Sequence, residues 1–286
     1  MLNTIVQPAK KALRGPFRKI RASYVRLRYG FGPGDLLVFL RQSGINPGDA
    51  VFVHSSMEGF KGFRGTAAEI IQVFQEAVGS GGTLLMPTLS FAGTAIDYAR
   101  QNRVFDPRTT PSQVGLLTEL FRRSPAVIRS LHPTHSVAVW GKDQEWWTKD
   151  HPFAATPCGR GTPYERLLER DAKIVMAGLS IAPLTFFHFA EEVLAPQMPF
   201  DPFTTEHFTM RYRVNGEIFE TAAMRLYNPA VSKRRNLAPL AAELRKAGYW
   251  REGKVGSLQA PVLGAKHIMQ TLEEMARGSV FCYDAP

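Results

Sequence analysis

The sequence is poor in cysteine, with only Cys158 and Cys282 among 286 residues. Two thiols make neither a disulfide framework nor a Cys-x-x-Cys pair, a usage that fits a reducing cytoplasm. Long apolar runs are also missing. No window approaches the roughly 18 apolar residues of a membrane span. No apolar h-region follows the basic residues near the N-terminus, so no secretory signal is expected. Acidic side chains are absent from residues 1–30, which carry eight basic ones between Lys10 and Arg28. The remaining chain holds 27 basic and 25 acidic residues, so the overall charge of +10 belongs to a tail and residues 31–286 are almost neutral.

Several catalytic signatures are missing as well. There is no Gly-x-Ser-x-Gly elbow for a serine hydrolase. Neither a Gly-x-Gly-x-x-Gly fingerprint nor a Walker loop occurs, so neither a dinucleotide fold nor an NTPase follows. No His-Glu-x-x-His pair or cysteine set supplies zinc ligands, and no metal is expected.

What is present is an ordinary globular composition, 44% hydrophobic and 21% charged, which excludes wholesale disorder and a coiled coil. Residues 1–30 form a basic arm and residues 31–286 one domain. In the arm Arg18, Lys19, Arg21, Arg26 and Arg28 alternate with Phe17, Ile20, Tyr24, Val25 and Leu27. Two readings stay open: a solvated charge run, or a helix that lies on an anionic membrane surface through residues 10–28. Nucleic acid is not expected as a partner, because the rest of the chain offers no basic face to extend the patch.

The pattern from residue 33 onward is that of an α/β domain. The stretch 34–49 reads as a short helix capped by Asp35 and ended by Gly44. Residues 50–56 form a strand, 65–82 a helix capped by Thr66, and 83–90 a strand halted by Pro87. Strand, helix and strand within about forty residues make a βαβ unit with parallel pairing. Residues 91–111 read as an irregular loop, and 110–123 as a helix with Thr110 as its cap. Strands at 126–130 and 136–141, a helix at 162–171 and a strand at 173–179 follow. The alternation of 208–226 around Asn215-Gly216 is a β-hairpin signal. Helices near 236–247 and 264–277 close the chain. The fold class is therefore α/β, a single domain with a mixed or parallel sheet and a hairpin insertion.

Chemistry concentrates in two stretches. In "TFFHFAEE" (185–192) an apolar helix carries His188, Glu191 and Glu192. At ~100° per residue His188 and Glu191 share a face three positions apart, close enough to pair. A carboxylate on one ring nitrogen leaves the other free to accept a proton, the arrangement of a general base. A structural His–Glu bond in the core fits the helix equally well. The second stretch, "VHSSMEGFKGFRGTAAE", runs from a strand through two hydroxyls and a glycine-bearing turn to a helix N-terminus. It can hold a phosphate or polarise a carbonyl, and a plain serine turn before a helix has the same pattern.

In this order, these pieces resemble the aminoglycoside 3-N-acetyltransferase family, also called the antibiotic N-acetyltransferase family. The matching stretches are "VHSSMEGFKGFRGTAAEII", "AVGSGGTLLMPTLSF", "FDPRTTPSQVGLLTELFRRSPAVIRSLHPTHSVAVWG", "GTPYERLLERDAKIVMAGL" and "TFFHFAEE". The likeness is dense from Asp35 to Glu192 and thinner beyond, until "GKVGSLQAPVLGAKHIMQTLEEM". The resemblance implies acetyl transfer from acetyl-CoA to the amine of an amino sugar or similar acceptor, without a metal. His188 falls on the family's base and Glu191 on its companion carboxylate. Ser55, Ser56 and Met57 fall on the acetyl-CoA turn, with Thr88 and Ser112 lining the same cleft. His132, His135 and His151 match family histidines for which a structural role is expected.

Glu192 is the alternative partner of His188 or a contact for the acceptor amine. Asp106, with Glu58 and Asp97, is a candidate acid for a cationic acceptor. Arg211, Arg213, Arg225, Lys233, Arg234 and Arg235 would instead favour an anionic acceptor if they faced the cleft. Two alternatives remain: an O-acetyltransferase on a polysaccharide precursor, and a non-catalytic CoA-binding protein docked through its basic arm. The expected location is the cytoplasm, with the arm as the feature that would bring it to the inner membrane surface. A homodimer is left open.

Overall fold

The computed structural model describes residues 27–285, so Lys10 to Arg26 of the basic arm lie outside the described residues. The chain opens with α1 (Pro33–Gln42), β1 (Ala50–Ser55), α2 (Ala67–Val78) and β2 (Thr83–Pro87). It continues through α3 (Ala95–Arg100), β3 (Val104–Phe105), α4 (Leu116–Arg122), β4 (Ile128–Arg129) and β5 (Val137–Gly141). Next come α5 (Gln144–Thr148), α6 (Pro163–Glu169), β6 (Lys173–Ala177) and α7 (Phe186–Leu194). Four strands follow: β7 (Phe203–Phe208), β8 (Arg211–Val214), β9 (Glu217–Glu220) and β10 (Met224–Tyr227). The chain ends with α8 (Pro229–Ser232), α9 (Ala238–Lys246), β11 (Lys254–Val255), β12 (Leu258–Gln259), β13 (Val262–Gly264) and α10 (Ala265–Arg277). Among the described residues no helix is long and apolar enough to cross a membrane.

The central sheet has the order β13-β6-β1-β2-β5-β4. β1 runs parallel to β2 and to β6, while β5, β4 and β13 add antiparallel strands, so the sheet is mixed. Successive side chains on a strand face opposite sides of the sheet. Phe52, Leu85, Val139, Ile174 and Met176 accordingly join one core with Phe186, Leu240 and Ile268 from α7, α9 and α10. Val51, Val53, Leu84, Met86 and Val175 join the other core with Leu36, Ile70 and Leu117 from α1, α2 and α4. Helices thus cover both faces, as parallel pairing requires.

Local chemistry fixes several boundaries. Thr66 accepts from the Glu69 N–H at 3.2 Å while Glu69 reaches back to the Thr66 N–H at 2.7 Å, a capping box that starts α2. Asn215 (φ 51°) and Gly216 (φ 92°) both adopt the left-handed backbone of the tight turn between β8 and β9, as the sequence predicts.

Three expectations need correction. Asp35 is not the cap of α1 but its third residue, and its carboxylate accepts from the Gly32 N–H at 2.7 Å. The stretch 91–111 is not wholly irregular: Thr94 caps α3, and β3 pairs with β8. Thr110 does not cap α4, which begins six residues later; its hydroxyl accepts from the Asp106 N–H at 2.9 Å.

Two tight contacts shape the sheet's carboxyl edge. Arg129 is buried and donates to the Thr88 carbonyl (2.6 Å), the Thr110 carbonyl (2.5 Å), the Ser90 hydroxyl (3.2 Å) and the Ser136 hydroxyl (2.9 Å). These acceptors are all neutral, and burial lowers its pKa to about 9. The second contact joins Gly59, in the turn after β1, to Gly178, in the turn after β6. A Cβ at Gly178 would lie 2.8 Å from the Gly59 Cα, and Gly178 has φ +72°. Steric overlap and a left-handed backbone both exclude a side chain there. Gly178→Ala is expected to cost about 2 kcal/mol or more and to lower Tm by roughly 5 °C in thermal unfolding. An unchanged Tm would show that the two turns are not locked together.

Candidate active site

α7 starts where β1, β2 and β6 end, the edge at which open α/β sheets bind ligands. Thr185, just before α7, lies with its hydroxyl 3.4 Å from His54 Nε2 on β1. Phe186, Phe187, Phe189, Ala190 and Leu194 are buried, whereas Val193 is 37% exposed, so α7 is not buried all round. His188, about 140° round the helix from Val193, is the partly open member of the opposite side.

His188 Nδ1 stands 3.0 Å from Glu191 Oε2. The Glu191 side chain has no exposed surface and the His188 side chain keeps 15%, so the imidazole is the part of the pair that a substrate can reach. The remaining partner of Glu191 comes from 44 residues away. Arg235 Nη2 donates to both carboxylate oxygens, at 3.1 Å each, and its guanidinium lies over the rings of Phe187 (5.6 Å) and Tyr283 (6.0 Å). The C-terminal segment holds Arg235 in place. Asn236 N donates to the Cys282 carbonyl at 2.8 Å, and Asp284 N to the Arg234 carbonyl at 2.8 Å.

These contacts set the charges. Burial, helped by the nearby Arg235 cation, holds His188 well below the ordinary histidine range, so it is a neutral imidazole at neutral pH. Burial raises Glu191 to about 7 against the opposing pull of Arg235. Once Glu191 is ionised, it accepts from His188 Nδ1–H. The partner oxygens therefore assign the ring proton to Nδ1 and leave the Nε2 lone pair free.

Glu192 points elsewhere. It accepts from the Thr156 hydroxyl, the Tyr227 hydroxyl and the Cys158 N–H (3.2 Å), and burial raises it to about 7. Glu191 is thus the partner of His188, and Glu192 sits among protein donors. Tyr227 links the two carboxylates, because its ring lies 4.3 Å from the His188 ring.

His132, His135 and His151 are buried and meet protein groups. His151 donates from Nε2 to the Pro157 carbonyl (2.9 Å) and accepts at Nδ1 from the Ser130 hydroxyl (2.8 Å). His132 Nδ1 accepts from the His135 N–H at 3.0 Å. His135 packs edge-on against His188 with ring centroids 5.9 Å apart.

Ser55, Ser56 and Met57 form a partly exposed turn at the end of β1. Ser56 Oγ accepts from the Glu58 N–H at 3.3 Å, which leaves its hydroxyl hydrogen available. A Cβ built at Gly115 would lie 3.8 Å from the Ser55 carbonyl, so α4 begins beside this turn. Thr88 is wholly buried, bonded to the Ser136 carbonyl (3.0 Å) and to Arg129 (3.0 Å). Ser112 is buried, with its hydroxyl 2.9 Å from that of Thr118. Both hydroxyls are engaged with protein groups.

Asp106 Oδ1 accepts from the Arg108 and Thr109 N–H groups, and its other oxygen is 3.8 Å from Arg213. Glu58 pairs with Lys61 and Asp97 with the cap Thr94. Most of the arginines weighed for an anionic acceptor are committed to protein groups. Arg211 donates to the Asn102 carbonyl, Arg225 to Asp201, Arg234 to the Asp284 carbonyl and Arg235 to Glu191.

Sequence reasoning missed the role of Arg235, because it is remote in the chain and stands in a run of three cations. Removing it alone strands a buried carboxylate, at a cost of about 3–5 kcal/mol. Arg235→Met is expected to lose that much in urea unfolding at pH 8.5. Less should be lost at pH 6, where Glu191, its pKa raised further without Arg235, binds a proton in the folded state. Equal losses at both pH values would contradict the pairing.

The profile of the family described as "Aminoglycoside 3-N-acetyltransferase" matches residues 52–277. Aminoglycoside N(3)-acetyltransferase III of Acinetobacter baumannii is 28% identical over 249 residues, covering 80% of this chain and 86% of that protein. The crystal structure of aminoglycoside acetyltransferase AAC(3)-IVa as apoenzyme superposes with a TM-score of 0.74 at 25% identity, over 91% of this chain and 93% of that one. The same fold is seen in AAC-IIIb, a binary complex with CoASH, at a TM-score of 0.71 and 22% identity, over 90% and 99% of the two chains. With the matched region spanning most of the sequence and the fold shared throughout, the chain belongs to the aminoglycoside 3-N-acetyltransferase family.

Proposed function

We propose that this chain transfers an acetyl group from acetyl-CoA to the amine of an amino sugar or related small acceptor, with His188 as general base oriented by Glu191. One observation carries the reading. A neutral, partly exposed imidazole has its Nδ1 held by a buried carboxylate, so its second nitrogen is ready to take a proton. Family membership, which makes the protein an acyltransferase, supports the reaction class. The CoASH complex of AAC-IIIb supports acetyl-CoA as the donor.

Bound acetyl-CoA supplies the acetyl group as an activated thioester. The turn of Ser55, Ser56 and Met57 is suited to hold it, for it offers hydroxyl groups at the edge where α7 begins. Thr88 and Ser112 would support that wall through their internal hydrogen bonds. Asp106, whose side chain keeps 22% of its surface, is the candidate contact for the acceptor.

An amine near neutral pH is mostly ammonium and has no lone pair for attack. His188 Nε2 removes that proton. Glu191 stabilises the imidazolium that forms, and Arg235 keeps Glu191 available as an anion. No metal is needed for these proton movements.

His188→Ala is expected to lower turnover by ~100-fold or more while the protein stays folded. Free CoA released from acetyl-CoA, followed with a thiol reagent across a panel of amine and hydroxyl acceptors, measures it. A near-wild-type rate in the variant would end the assignment of His188 as the base. Acetylation of hydroxyl but not amine acceptors would move the activity to O-acetyl transfer.

A further inference from the structure

We propose that Tyr227 is a positioning residue for His188, and that Glu192 acts on the base through the Tyr227 hydroxyl rather than by touching the acceptor. The proposal rests on the reading of His188 as the base.

Glu191 alone does not fix the imidazole. A single bond to Nδ1 leaves the ring free to swing about that contact and about its own side-chain torsion. The face of the ring is where the second constraint acts. Tyr227, on β10, packs against it with centroids 4.3 Å apart and planes inclined by 34°, while His135 closes the edge at 5.9 Å. Together they leave the imidazole one orientation, with Nδ1 on Glu191 and Nε2 outward.

Tyr227 is itself held at three points. Its hydroxyl donates to Glu192, its ring stacks on Phe203 at 5.1 Å, and His135 abuts it at 5.7 Å. It is buried, Glu192 is partly buried, and the Glu192 carboxylate also gathers Thr156 and the Cys158 amide. Glu192 therefore has three protein donors, two of them from the segment before α6. Its contact with the catalytic group runs through the aromatic ring. Adjacent carboxylates on one helix thus act on one histidine from two directions, Glu191 by direct bond and Glu192 through Tyr227. Preorganisation of this kind governs how often the base lies in the reactive geometry and leaves acceptor binding unchanged.

The test compares Tyr227→Phe, Glu192→Gln and the double variant by initial rates with acetyl-CoA and an amine acceptor that the wild type uses. Tyr227→Phe keeps the ring and loses only the tether. Each single variant is expected to lower kcat by about 10-fold with acceptor KM changed less than twofold, and the double variant to be no slower than the worse single one. A Glu192→Gln enzyme with KM raised tenfold at unchanged kcat would show that Glu192 touches the acceptor and overturn the proposal. Wild-type kcat in Tyr227→Phe would do the same.

A second readout needs no turnover. With 15N-labelled histidine, and the His188 signal assigned by its loss in His188→Gln, the wild type should show the Nδ1–H tautomer. Tyr227→Phe and Glu192→Gln should show a mixture with Nε2–H, the form that free imidazole side chains favour. An unchanged tautomer in both variants would overturn the positioning role. If the wild type acetylates no amine, the base reading fails by itself, and the tautomer still decides whether Tyr227 holds the ring.

Discussion

Glu191 is a carboxylate with no exposed surface, and the site depends on how the protein makes that tolerable. Burying an ionised carboxylate is costly unless it is both paired and hydrogen-bonded. Arg235 supplies the pair and His188 the hydrogen bond. Arg235 is in turn seated by the C-terminal segment, through backbone bonds at Asn236 and Asp284. The C-terminal segment is therefore part of the proton-handling apparatus, although it lies about a hundred residues from α7 in sequence. Because Glu191 titrates near 7 and His188 far lower, the pair can be armed at neutral pH by one ionisation.

The sheet explains why these groups meet a place for a thioester. β1 and β6 run parallel and end together, and the contact of Gly59 with Gly178 brings their turns within van der Waals reach. From Gly178 the chain enters α7 within eight residues, so the Ser55–Met57 turn and His188 share one edge of the molecule. Arg129 does comparable work beside β2, gathering the backbone of Thr88 and Thr110 with the hydroxyls of Ser90 and Ser136. Neither device has a sequence signature. A glycine pair 119 residues apart and an arginine within a short strand acquire meaning only once the chain is folded.

Local signals were the legible part. Thr66 and Glu69 announced the start of α2, Asn215-Gly216 announced its hairpin, and apolar runs located β1, β2 and β6. Three-residue spacing placed His188 beside Glu191, because helix geometry alone brings them together. The sequence was misleading where a threonine–proline pair imitated a helix start: Thr110 instead closes the turn at Asp106. It kept Glu192 as an alternative partner of the histidine, because the groups that draw Glu192 away, Thr156 and Tyr227, and the one that pairs Glu191, Arg235, are all brought in by tertiary packing. The acidic and basic residues first weighed as acceptor contacts are mostly engaged with one another or with the backbone. Counting charges along a sequence cannot show this.

The central claim is that Glu191, anionic beside Arg235, keeps His188 in its basic tautomer. The pH dependence of kcat/KM for wild type and Glu191→Gln, with the same acceptor, tests it most directly, since the acceptor's own ionisation appears in both curves. The account predicts a rise with an apparent pKa near 7 in the wild type that is missing from Glu191→Gln. The same rise in both proteins would contradict it.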